Sequence, residues 1–247
     1  LERYPAFQLD DSSGLLMRLD KFLSQNSDSS RSLIQQAIKA GRVSVNGAIA
    51  KKGDQKLLGD EVIMLDEKIV EAFKTRYLML YKPAGYVCAN SDSEHPVVVD
   101  LIRLPRWQEL QIVGRLDIDT TGLVLLTDDG QWNHRITSPR HGCEKIYRVT
   151  TANPISKETA ELFSVGVQLH GEKSPTRPAQ LDLISSHEAR LQIHEGKYHQ
   201  VKRMFAAAGN HVVALHRESI GSIQLDPALA PGEYRTLTTA EIESMAP

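Results

Sequence analysis

Three short stretches of this sequence gather the side-chain types that catalysis needs. The first, Gly114-Arg115-Leu116-Asp117-Ile118-Asp119-Thr120-Thr121-Gly122-Leu123, joins a strand-like segment at 111–113 to an apolar run beginning at Leu123. Gly, Thr and Asp dominate it, so it is a loop, and a loop carrying an arginine and two carboxylates is where function tends to sit. Three chemistries compete there. Asp117 or Asp119 could cap its own turn as an Asx motif. The pattern D-x-D-x-T-G from Asp117 to Gly122, with Asp128 in twelfth place, could bind calcium as an EF-hand loop does. Against that, a strand run follows, Leu125 fills the ninth place, and the last ligand would be Asp instead of a bidentate Glu. Or one aspartate could act directly on a sugar or a base.

The second stretch, Gly196 to Met204, places three cations (Lys197, Lys202, Arg203) and two rings (Tyr198, His199) at the start of a helical pattern. It is either an ordinary basic helix entrance or the source of a cation for the site. A carboxylate paired with such a cation stays ionised and available as a nucleophile. In the third stretch, Glu144 to Val149, the side chains of Lys145, Tyr147 and Val149 share one face of a strand. Tyr147 is a half-buried strand residue or a ring for stacking a flipped base.

Other chemistries find little support. His141-Gly142-Cys143 is the nearest thing to a metal-ligand pair and has no matching partner pair. The zinc-deaminase pattern, the Walker A lysine motif and G-x-G-x-x-G are absent, so neither a metal nor a nucleotide cofactor is signalled. Cys88 and Cys143 are the only cysteines and form no C-x-x-C, which argues against a disulfide scaffold and fits a reducing cytoplasm.

The elements that must position these residues fall into two groups. A chain of 247 residues, 41% hydrophobic and 24% charged, is one large domain or two smaller ones. Its net charge of −2 excludes a uniformly basic coat. No apolar run approaches the roughly 18 residues that span a bilayer, and no signal-peptide h-region follows the N-terminus. Residues 1–16 show no period and are read as an extension, natural or added for expression, because a helical pattern starts at once after Met17. Residues 17–65 are basic, carrying Arg18, Lys21, Arg31, Lys39, Arg42, Lys51, Lys52 and Lys56, whereas the body that follows is slightly acidic. That split suggests a polyanion-docking module ahead of another machine, or simply a solvated charged face.

Within 17–65 the pattern predicts helix, helix and hairpin. Leu19, Phe22 and Leu23 recur at helical spacing; Ser29 or Ser30 caps a second helix bearing Leu33, Ile34, Ala37 and Ile38; Gly41 ends it. Val43 and Val45 alternate ahead of an Asn46-Gly47 turn, and residues 62–65 close the unit. Residues 66–75 are charged and weakly periodic, a linker. From residue 76 to 247 short strands dominate, at 77–81, 123–126, 146–150, 179–184, 190–194 and 212–216, with helices at 157–163 and 199–208. Strands in runs with occasional helices predict an α+β domain with a mixed or antiparallel sheet.

Together these motifs resemble the RNA pseudouridine synthases: G-R-L-D-x-D-T-x-G-L at 114–123, K-x-Y-x-V at 145–149 and H-Q-V-K-R-M at 199–204, in that order. H-R-E-x-I-G at 216–221 resembles the ribosomal branch, and residues 18–65, with G-R-V-x-V-N-G at 41–47, resemble an S4 RNA-binding domain. The resemblance implies isomerisation of a uridine to pseudouridine in 16S ribosomal RNA, alone or in a small-subunit assembly intermediate, without a cofactor. A cytoplasmic location and a monomer are the expectation. Asp117 corresponds to the family's essential aspartate, Arg115 to the arginine that helps hold the flipped nucleotide's place, and Tyr147 and Val201 to the residues packed on the base. Lys202 corresponds to the cation paired with the aspartate. Arg18, Lys21, Arg31, Lys39, Arg42, Lys51 and Lys52 are the expected RNA contacts of the S4-like unit. Tyr81 stands where the family often has Asn. The alternatives are a 23S rRNA enzyme, a non-catalytic RNA-binding assembly factor, and a glycoside hydrolase using Asp117 with Asp119; two carboxylates this close in one loop suit opposite faces of a sugar poorly.

Overall fold

The computed structural model describes residues 17–245 apart from 28, 73 and 105. The 1–16 extension lies outside the described residues. The described residues divide into two compact units, one ending at Lys74 and the other beginning at Thr75.

The small unit contains β1 (Met17–Arg18), α1 (Leu19–Asn26), α2 (Arg31–Lys39), β2 (Val43–Val45), β3 (Ala48–Ile49), β4 (Lys56–Leu57), β5 (Ile63–Leu65) and β6 (Lys68–Ile69). Ser30 caps α2 by accepting from the Leu33 amide at 3.4 Å. Gly41, at φ +74°, supplies the left-handed residue that ends that helix. Asn46 and Gly47 both have positive φ, the requirement of a tight type I′ hairpin between β2 and β3. Leu19, Phe22, Leu23, Ile34, Ala37 and Ile38 pack on Val43 and Ile63 to form its core. The stretch read as a linker starts inside this unit: β6 pairs with β5 through a turn at Asp66 and Glu67, both at positive φ. A strand of two residues is too short to show the alternation that would reveal it.

The large unit contains β7 (Tyr77–Lys82), β8 (Gln111–Val113), β9 (Thr121–Thr127), α3 (Gly130–Thr137), β10 (Lys145–Thr151), α4 (Lys157–Val165), β11 (Gln180–Leu183), β12 (Glu188–Ile193), α5 (Gln200–Ala207), β13 (Val212–Ile220), β14 (Ile223–Gln224), β15 (Tyr234–Thr236) and α6 (Thr239–Glu243). Their nine-stranded sheet runs β11-β12-β10-β13-β9-β7-β15, with β14 on β13 and β8 on β9. Neighbours are antiparallel except β13 and β9, which run parallel over two pairs, His216 with Thr121 and Arg217 with Gly122. The fold is therefore the α+β arrangement the sequence predicts.

Alternate residues of β7 and β9 enter two different cores. Leu78, Leu80, Val124 and Leu126 join Val149, Phe163, Leu191 and Phe205; Met79, Leu123 and Leu125 join Trp132 and Ile136 of α3. A strand covered on both faces has no polar side, which explains the unbroken run at 123–126. Sequence patterning misses α3: it has eight residues, with Asp129 accepting from the Gln131 and Trp132 amides and a glycine at its first position. It also ends β13 early, because Arg217 breaks the apolar pattern, yet that arginine is 1% exposed.

Candidate active site

The loop between β8 and β9 carries Asp117, and the turn entering α5 carries the groups that meet it. Lys202 Nζ lies 3.1 Å from Asp117 Oδ2 and 2.6 Å from Asp119 Oδ1. His199 Nε2 lies 3.3 Å from the other Asp117 oxygen, Oδ1. Both carboxylates thus reach one ammonium, and the turn beneath them is closed by the Thr120 amide donating to the Asp117 carbonyl at 3.1 Å. Burial works to lower the Lys202 pKa; hydrogen bonds to Asp119 and Asp117 outweigh it and hold the group above 10.5. In return, the hydrogen bond from Lys202 holds the Asp119 carboxyl below 3.8. The cation is shared between two carboxylates, with the shorter contact to Asp119, a partner the sequence reading did not assign.

The calcium reading fails on Asp128. That side chain accepts from the Arg76 amide and Nε, both at 2.8 Å, and the intervening residues 121–127 form β9.

Two buried cations that patterning passed over hold the loop in place. Lys82, at the end of β7, is 0% exposed, and its ammonium donates to the carbonyls of Pro83 (3.0 Å), Ile118 (3.1 Å) and Thr120 (2.7 Å). Burial pushes its pKa below 10.5. Arg217 of β13 donates to the carbonyls of Gly114 at 2.7 Å and Leu123 at 2.8 Å, bracketing both ends of the loop. Its remaining nitrogen is 3.4 Å from the Tyr147 hydroxyl. Gly122 makes this approach possible: at φ +107°, a Cβ there would lie 2.3 Å from the Arg217 carbonyl oxygen. No sequence period marks either cation, because their partners are backbone carbonyls that every residue possesses.

Tyr147, on β10, and Val201, in the first turn of α5, are 7% and 4% exposed and belong to the same apolar core. Lys145 and Val149 share the buried face with Tyr147, as the strand period predicts. Arg115 is exposed, and among the described residues its guanidinium makes no ion pair.

In the small unit the expected RNA contacts separate into two sets. Arg18 binds both oxygens of Asp20 (3.1 and 2.8 Å), and Arg31 reaches it at 3.4 Å; Arg42 pairs with Asp66 at 2.7 Å. Lys21, Lys39, Lys51 and Lys52 are exposed and, among the described residues, in no ion pair. Sequence counting treats all seven alike because it cannot see that Asp20 is buried, with 2% side-chain exposure. Burial works to raise the Asp20 pKa, and hydrogen bonds from Arg18 and Arg31 carry it below 3.8. A carboxyl depressed on folding stabilises the fold above its unfolded value and loses that contribution as pH falls through the folded one. Asp20→Asn is therefore expected to speed amide exchange in α1 and α2 at neutral pH, with the gap from the parent closing below pH 3.8.

Comparison with known proteins matches this geometry to a family. Residues 76–207 match the family described as RNA pseudouridylate synthase, and residues 17–63 match the S4 domain. The ribosomal small subunit pseudouridine synthase A of Yersinia pestis is 55% identical over 230 residues, covering 93% of this chain and 98% of that one. Its Escherichia coli K12 counterpart is 54% identical, covering 93% and 100%. A crystal structure of a pseudouridylate synthase superposes with a TM-score of 0.68 at 47% identity, over 93% of this chain and all of that one, 100%. With the fold, the order of the motifs and near-complete coverage in agreement, the chain belongs to the RNA pseudouridylate synthase family and carries an S4 domain ahead of the catalytic one.

Proposed function

We propose that the protein converts one uridine of 16S ribosomal RNA to pseudouridine, with Asp117 as the catalytic carboxylate. The observation that carries this reading is the 3.1 Å contact between Asp117 and Lys202, side chains that come from separate elements of one domain. The likeness to small-subunit synthases supports the choice of RNA.

The reaction breaks the N1–C1′ bond, turns the uracil and joins C5 to C1′; C5 then loses its hydrogen and N1 gains one. Atoms and oxidation state balance, so no oxidant, reductant or group donor enters. The uridine must leave its stack, at a few kcal/mol, repaid by contacts in the pocket. Asp117 acts on the released nucleotide at the sugar or the base, Lys202 balances its charge, Tyr147 and Val201 pack against the uracil, and Arg115 holds the place the base vacated. The protein acts as a monomer in the cytoplasm, on free RNA or a partly assembled subunit.

Incubation with 16S and 23S transcripts, followed by carbodiimide-dependent primer-extension mapping, is expected to show one new stop, in 16S RNA. A stop in 23S RNA alone would make it a large-subunit enzyme. RNA binding without any stop would make it an assembly factor.

The S4 unit contributes phosphate contacts. Each neutralised phosphate adds about 0.7–0.9 to the slope of log K against log salt. Replacing Lys21, Lys39, Lys51 and Lys52 with Ala together is expected to weaken rRNA binding and flatten that slope by about 3, measured by filter binding over a salt series.

A further inference from the structure

One feature beside the site has no part in the chemistry above. Tyr198 is 70% exposed, an unusual state for a large ring, and its inner face stacks on His199 with centroids 3.8 Å apart and planes 20° from parallel. His199 in turn touches Asp117 at 3.3 Å. The two rings form a short column: the edge of His199 meets the carboxylate, and Tyr198 is open to solvent.

The backbone under the column is held by several hydrogen bonds. His199 adopts a left-handed conformation, φ 46° and ψ 36°, which a non-glycine residue keeps only where its surroundings enforce it. Arg203 supplies that enforcement: its guanidinium donates to the Tyr198 carbonyl at 2.9 Å and to the His170 carbonyl at 2.5 Å, and its amide donates to the His199 carbonyl at 3.0 Å. Glu172 anchors both Arg203 (2.9 Å) and Lys197 (3.1 Å), and Gln200 accepts from the Lys197 amide at 2.9 Å. A ring stacked on one face and carried on a held backbone binds a flat partner on its other face at low entropic cost.

We infer that the free face of Tyr198 stacks a nucleobase adjacent to the target uridine on the same RNA strand. This rests on the proposed reading: a strand that delivers a uridine to Asp117 carries its next base within one nucleotide of the column. Any base offers a π-face, so the contact adds affinity and holds the strand in register without selecting a sequence.

The test uses the full-length protein and 16S RNA, with short RNA duplicates of the modified site carrying an abasic residue on one side or the other of the uridine. Tyr198→Ala is expected to raise Kd and KM about tenfold, the order of one lost base stack, and the loss falls on these terms instead of kcat. Tyr198→Phe and Tyr198→Trp restore binding. An abasic residue on one side costs the parent a similar factor and costs Tyr198→Ala nothing more. Parent-like Kd and KM in Tyr198→Ala, or an abasic penalty equal in both proteins on either side, would overturn the inference. A loss confined to kcat would also overturn it, since the ring would then serve only to hold His199. Should Tyr198→Ala misfold, the abasic arm on the parent decides alone: no penalty on either side sinks the proposal. Kd is read on 16S RNA without turnover, so weakened binding by Tyr198→Ala beside a parent that forms no pseudouridine would remove the proposed function and leave the stack.

Discussion

Asp117→Asn is expected to abolish pseudouridine formation while leaving rRNA affinity within a factor of about two. Asn keeps the shape of the side chain and removes the charge on which the proposed chemistry depends. Losing the central group of a catalytic cluster costs on the order of 10⁴-fold or more in rate. Binding is expected to be spared because the proposed phosphate contacts lie elsewhere in the chain. Lys202 keeps a carboxylate partner in the variant, since Asp119 holds it at 2.6 Å, so no buried charge is stranded and the fold survives. Asp117→Ala should behave the same way. Release of tritium from C5-labelled uridine in rRNA measures turnover, and filter binding measures affinity. Turnover retained in both variants would remove Asp117 from the reaction.

The second large effect is expected from Lys82→Met. Methionine fills similar volume but donates nothing, so the carbonyls of Pro83, Ile118 and Thr120 lose their shared donor; Ile118 keeps the Gly85 amide at 2.8 Å, and the loss falls on Pro83 and Thr120. Leaving a buried acceptor unpaired costs about 1–3 kcal/mol. Relief from burying an ammonium offsets part of the total, which leaves a net loss of about 2–4 kcal/mol. At about 2–4 °C per kcal/mol for a domain of this size, melting should fall by roughly 10 °C. Two of those three carbonyls lie within three residues of Asp117, so the loop relaxes and the carboxylate shifts. A misplacement of about 1 Å costs about 10²-fold. The signature is a lower melting temperature together with a reduced kcat, seen at temperatures where the variant is still folded. Parent-like melting would show that water or another donor serves these carbonyls.

Much of this was legible because the relevant signals are local. Helical spacing at Leu19, Phe22 and Leu23, the Asn46-Gly47 turn and the apolar run at 123–126 each reflect a rule that operates within a few residues. The cluster of cations at 197–203 and the carboxylates at 117 and 119 announce themselves by side-chain type, and the fold brings Lys202 to both carboxylates. What stayed hidden depends on tertiary partners. Lys82 and Arg217 bind carbonyls, which leave no trace in the order of side chains. Arg18 and Arg31 look like unpaired cations until Asp20 proves to be a buried carboxylate that both of them contact. His199 reaches Asp117 only because its backbone turns left-handed, a choice made by Arg203 and its partners. One missed element did carry a readable sign: Thr238 and Glu241 form a reciprocal capping box at the start of α6, the T-x-x-E spacing that marks a helix entrance.

The parallel contact between β9 and β13 is only two residue pairs long, whereas β10 and β13 pair from Lys145 to Thr151. The sheet therefore consists of two well-knit halves stitched along a narrow seam. Asp117 precedes β9 in the chain, on one side, and Tyr147 lies on β10, on the other. Where ladder bonds are few, thermal opening begins. Arg217 acts as the rivet, with its guanidinium on the carbonyls of Gly114 and Leu123 and near the hydroxyl of Tyr147. Arg217 sits on β13, the last long strand in the chain, so the bridge between the two halves cannot form until that strand has joined the sheet.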